Sequence, residues 1–139
     1  MATNLNAYIN YLDTARSALE FYQSVLGGEL NISTFAEFQG SDSPDDANLV
    51  MHGQLNTADG AIIMAADTPS YMRESAKGHE GFSMSLSGDD DATLSGYYEA
   101  LSAGGTIVQP LVEAPWGDKF GMFTDKFGVG WMVNIVKAQ

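Results

Sequence analysis

Cysteine is absent from all 139 residues, and with it go disulfides, thiolate nucleophiles and zinc–thiolate sites. Basic residues are scarce: six Lys and Arg stand against eighteen Asp and Glu, for a formal net charge of −12. So few cations form no phosphate-binding stripe, which excludes nucleic acid and anionic membrane surfaces as partners. No apolar run approaches the ~20 residues of a membrane span. The opening MATNLNAYINYLD has no basic segment followed by an apolar one, so no leader peptide is expected. With the missing cysteine, this points to the cytoplasm. Only two histidines are present, His52 and His79. There is no G-x-S-x-G, no phosphate loop and no dinucleotide fingerprint, so nucleophilic triads and nucleotide chemistry have little to work with. The acidic balance fits a soluble acidic protein, and its field favours a cationic small ligand.

What the chain does have is a core and a repeat. Hydrophobic residues make up 45% of it, enough for a globular fold of one domain's size. The densest stretch is residues 110–136, where large apolar side chains alternate with glycines at 117, 121, 128 and 130. It reads as a strand, a Trp-Gly loop, a strand, a tight turn at Lys126-Phe127-Gly128, and a last strand.

The first half follows the same plan. Residues 7–12 form a strand, with Asp13 or Thr14 as N-cap. Ala15, Leu19, Tyr22 and Leu26 mark one helix face, ended by Gly27-Gly28. Strands are predicted over 29–38, 49–56 and 61–66, with a loop at 39–48 and a hairpin turn at Asp59-Gly60. In the second half a strand covers 82–87. Asp89, Asp90 and Asp91 then open a helix whose apolar face is Leu94, Tyr97, Tyr98 and Leu101. Gly104-Gly105 ends it, and strands follow at 106–112, 119–124 and 130–136. Each half is therefore strand–helix–strand–strand–strand, and the fold class is α+β: two tandem βαβββ modules with curved mixed sheets. Module one spans about 5–67, a linker about 68–81, and module two about 82–137. Neither module covers both faces of its sheet, so each needs a partner face, in this chain or another. A homodimer is expected, with the apolar final strands supplying the interface.

The motifs YINYL with ALEFY and LGGEL, then VMHGQL and MAAD, and in the second half SLSGDD, WGDKFG and DKFGVGWMVN, resemble the vicinal oxygen chelate superfamily. That superfamily contains glyoxalase I, bleomycin-resistance proteins and extradiol dioxygenases, and within it the chain is similar to the PhnB-like group. The resemblance implies a metal site built from one inward His, Gln or Glu on each of the first, fourth, fifth and eighth strands. Here those slots map to Ala7, Met64, Ser83 and Met132, none a usual ligand. Neighbouring Tyr8, Phe82 and Trp131 do no better. The expectation is a metal-independent small-molecule-binding protein with no resident cofactor. The alternative is a divalent-metal lyase, isomerase or dioxygenase.

His52 is the best single candidate for chemistry. It is in phase with Val50 and Gln54, so His52 and Gln54 would project into a cavity where an imidazole orients a ligand or moves a proton. A structural histidine bonded across the sheet is the competing reading. Tyr11, Ser85 and Asn134 share strand phase with the emptied slots and offer hydroxyl and amide contacts. Trp116, on a loop, would stack on a flat or cationic ligand, or else pack in the core. His79, in a glycine-flanked linker beside Glu80, reads as an exposed loop residue, with a metal or proton handle formed with Glu80 as the competing reading, and Trp131 reads as core. Asp42, Asp45 and Asp46 lack a calcium-loop pattern and read as a solvated face.

Overall fold

Alternation in AYINY puts Ile9 and Tyr11 on one side of a strand and Tyr8 and Asn10 on the other. The computed structural model of the chain describes residues 4–38, 43–75, 78–79 and 82–137. It divides into two units, Met1–Lys77 and Gly78–Gln139, so the boundary falls inside the expected linker.

The first unit contains β1 (Ala7–Tyr11), α1 (Ala15–Leu26), β2 (Glu29–Thr34), a short α2 (Phe35–Phe38), β3 (Val50–Asn56) and β4 (Ile62–Asp67). The sheet order is β1-β4-β3-β2, with β1 parallel to β4 and the other pairs antiparallel. Ala15, Ala18, Leu19, Tyr22 and Leu26 of α1 are buried on one face of this sheet. Each large side chain so buried stabilises the module by roughly 1.5–3 kcal/mol. Gly53 makes room for the helix: a Cβ there would meet Leu19 Cδ1 at 2.4 Å.

The predicted strand over 29–38 stops at Thr34. The ladder slips at Ser33/Thr34, and Thr34 Oγ1 accepts the Glu37 N–H at 3.3 Å, turning the chain into α2. Neither Asp13 nor Thr14 caps α1 with its side chain. Asp67, arriving from β4, accepts the Ala15 N–H at 2.8 Å instead. Of the expected loop, residues 39–42 lie outside the described residues, and Pro44–Asp46 is a turn of 3-10 helix. Asp46, expected in solvent, is 2% exposed and accepts from the backbone N–H and hydroxyl of Ser70. That bond ties the 3-10 turn Ser70–Ser75 to the first unit, helped by Arg73 Nη2 donating to Leu12 O.

The second unit contains β5 (Met84–Gly88), α3 (Asp91–Ser102), β6 (Thr106–Glu113), β7 (Lys119–Thr124) and β8 (Gly130–Ile135). Its order, β5-β8-β7-β6, with β5 parallel to β8, repeats that of the first unit. The repeat reaches individual turns. Thr57 and Asp125 each start a turn at the end of β3 or β7, and Gly60 (φ 91°) and Gly128 (φ 88°) sit in the same place in each. Thr57 Oγ1 accepts the Ala61 N–H as Asp125 Oδ1 accepts the Val129 N–H. Leu94, Tyr98 and Leu101 of α3 are buried, with Tyr97 half-buried. Tyr98 meets Phe123 edge-on at 5.3 Å, and Phe123 stacks on Trp131 at 6.3 Å. Trp131 is core, as expected, at 2% exposure.

Candidate functional site

In the first unit, strand pairing sorts the candidates between two faces. Tyr11 Oη lies 3.0 Å from Tyr22 Oη of α1, and Gly53 lies under Leu19, so Ile9, Tyr11, Gly53, Ala65 and Asp67 belong to the helix-covered face. The face away from α1 carries a row Asn31, Gln54, Met64 and Tyr8, one residue from each strand. Ser33 and His52 form the next pair, with Asn10 on the same face. His52 and Gln54 are therefore brought together. Tyr11 is not: it is 2% exposed, its hydroxyl turned into the core. The sequence reading placed it one residue out of phase, and Tyr8 is the β1 tyrosine that shares a face with His52.

Tyr8 Oη lies 3.3 Å from His52 Nδ1, with the rings 5.8 Å apart. Partial burial pushes the Tyr8 phenol up from its usual pKa, so it stays a donor at neutral pH. When it donates to Nδ1, the imidazole proton sits on Nε2. Gln54 Nε2 donates to Asn56 Oδ1 at 3.0 Å, which turns its carbonyl oxygen free to accept. The face presents amides, a phenol, an imidazole, a hydroxyl and a thioether, with the exposed carboxylate of Glu29 in the same phase at the start of β2.

In the second unit, Ser85 pairs with Met132, and Ser87 with Asn134, on the face away from α3. Met122 opposes Met132, and Phe120 opposes Asn134. Trp116, 62% exposed on the β6–β7 turn, sets its ring edge-on to Phe120 at 5.6 Å. Ser85, Asn134 and Trp116 thus share one region. Asn134 is already engaged, donating to Asp118 Oδ2 at 3.1 Å. The Lys137 N–H and the Asn134 amide together hold the Asp118 carboxyl below its usual pKa. A separate cavity of about 440 Å³ opens at the Gly128 end of the β7–β8 hairpin, bordered by His79, Ser83, Met122 and Thr124. None of the singled-out binding residues lines it; the signal in the sequence was the pair Gly128 and Gly130.

The metal slots can now be located. On β1 and β4 the outward pair is Tyr8 and Met64, and on β5 and β8 it is Ser85 and Met132. Ala7 pairs with the buried Ile63 on the helix side, and Ser83 precedes β5, so two slots shift by one or two residues. The outward faces of these four strands offer neither imidazole nor carboxylate. Among the described residues no group of three His, Cys, Asp or Glu side chains is arranged to hold an ion. Thioether, phenol and serine hydroxyl do not fit a divalent zinc, iron or manganese centre.

Comparison with known proteins supplies the family context. The profile described as the Glyoxalase/Bleomycin resistance protein/Dioxygenase superfamily matches residues 6–133. Protein YjdN of Escherichia coli is 30% identical, with 97% of each chain covered. The crystal structure of protein PA1353 from Pseudomonas aeruginosa is similar at 32% identity and TM-score 0.80, covering 99% of this chain and all of that one. A PhnB protein from Bacillus cereus, titled a putative 3-demethylubiquinone-9 3-methyltransferase, shares the fold at 22% identity and TM-score 0.77, covering 96% of this chain and 100% of its own.

Proposed function

Because the chain belongs to the glyoxalase/bleomycin resistance protein/dioxygenase superfamily, we propose that it uses this fold to bind a small molecule without a metal, on the outward face of the first module around His52. The observation that carries this reading is the replacement of ion ligands by neutral hydrogen-bonding groups. Tyr8, Asn31, Ser33, His52 and Gln54 stand together on a face that α1 leaves uncovered. Ligand contacts there are amide and phenol oxygens, imidazole nitrogen and the Met64 sulfur. The charge of −12 acts at longer range and concentrates cations near the surface. A cationic ligand bearing N–H donors suits both properties, and a cytoplasmic homodimer is the assembly we assign to it.

Titration calorimetry with metal-free bleomycin, and with spermidine as a simple cation, tests the reading. Saturable binding that weakens with added salt, and weakens about tenfold in His52→Ala or Gln54→Ala, supports it. No heat with either cation, or binding indifferent to both substitutions, contradicts it.

A further inference from the structure

The cavity at the end of the second module is lined by residues of that module alone and has its own chemistry. Its volume, about 440 Å³, falls within the range of small-molecule pockets. Gly130 is part of its lining. Gly130 opposes Thr124 across the β7–β8 ladder, and a Cβ at Gly130 would come within 3.2 Å of Ser83 Oγ. A side chain at Gly130 would therefore crowd Ser83 at the cavity's edge. His79 closes one side, its Nδ1 about 3.8 Å from where a Gly128 Cβ would stand. Met122, Phe82 and Val108 give apolar wall, and the β7–β8 backbone at Phe123 and Trp131, whose rings are buried on the α3 side, gives the floor.

Among the described residues the lining holds no carboxylate, lysine or arginine, in a protein where eighteen of 139 residues are acidic. A charged ligand would lose its hydration there without gaining an ion pair. A flat apolar body would gain contact with the Met122 thioether and the Phe82 ring. The hydroxyls of Ser83 and Thr124 and the imidazole of His79 would orient one or two polar groups on its rim.

We propose that this cavity is a second binding site, specific for a neutral, flat, ring-containing molecule that carries a hydroxyl or carbonyl group. It differs from the His52 face in module, in lining and in the ligand charge it accepts.

The protein's two histidines make the test direct, since its imidazole proton spectrum contains two ring systems. His79→Ala assigns them. Naphthol, naphthoate and naphthylmethylammonium are then titrated into the full chain. The expected result is a saturable shift of the His79 signals with naphthol, a much weaker effect of the two ions, and an unmoved His52. Ser83→Leu, which fills the hollow from an exposed position, should weaken naphthol binding about tenfold. Thr124→Leu fills it from the other side and serves if the first variant folds poorly. Absence of saturable naphthol binding overturns the proposal, as does a preference for either ion. A response at His52 alone also overturns it, while leaving the first-module reading intact.

Discussion

Asp67 is 5% exposed, and its two oxygens accept the N–H groups of Ala15 and Val50 at 2.8 and 2.9 Å, from partners 52 and 17 residues away. It joins the start of α1, the start of β3 and the end of β4. Asp67→Ala would leave two buried donors unpaired and should cost about 3 kcal/mol in urea denaturation. Burial raises its pKa, and the two N–H bonds only partly offset that. The folded state therefore holds this proton more tightly than the unfolded chain does. The stability difference between wild type and Asp67→Asn should shrink as pH rises from the ordinary aspartate value through the raised one, and level off above it. Asp125 has the matching task in the second module, accepting from the N–H of Phe127 and of Val129 and from Trp131 Nε1. These roles were illegible in the sequence, because a carboxylate that will meet a distant backbone N–H looks the same as one that will face water. Asp46 misled for that reason. Tyr11 misled for another: in a strand, an error of one residue exchanges the core face for the open one.

At the scale of elements, the helices were the most legible parts. Spacings of three and four residues picked out Ala15, Leu19, Tyr22 and Leu26, and Leu94, Tyr98 and Leu101, all of which are buried. The turn at Asp59-Gly60 and its counterpart at Gly128 were equally plain, since both need positive φ. The short α2 was hidden, because ELNISTFAEF alternates well enough for one long strand and only the Thr34 side chain breaks it. The strand glycines Gly53 and Gly121 are docking points for a helix. A Cβ at Gly121 would meet Tyr98 Cε2 at 2.7 Å and the Leu111 backbone at 3.0 Å. Gly121→Ala should therefore destabilise by about 1–3 kcal/mol. Gly96, in α3 with nothing within 4 Å of its Cβ position, should behave oppositely. Gly96→Ala should stabilise by about 0.5–1 kcal/mol in thermal or urea unfolding.

For the molecule as a whole, duplication was readable and its surface consequences were not. The final strands were expected to supply a dimer interface, yet Phe123, Trp131, Val133 and Ile135 are spent inside the second module. Among the exposed apolar side chains, Ile107 and Val112 lie on β6. A dimer interface, as we assign it, runs along that strand. Val112→Lys should shift sedimentation from twice the 14.9 kDa chain mass toward the monomer, and an unchanged mass would rule out this edge. A net charge of −12 also implies self-repulsion. Moderate sodium chloride should raise the melting temperature, since screening relieves like-charge contacts across the Debye length. No helix among the described residues is long and apolar enough to cross a membrane. The most direct test of the central claim, that this family member has kept both βαβββ modules but not the ion ligands, is elemental analysis of chain purified without chelator and then equilibrated with Zn²⁺, Fe²⁺ or Mn²⁺ and desalted. The account predicts metal far below one ion per chain in every case, and a stoichiometric content that falls when His52 or His79 is replaced would contradict it.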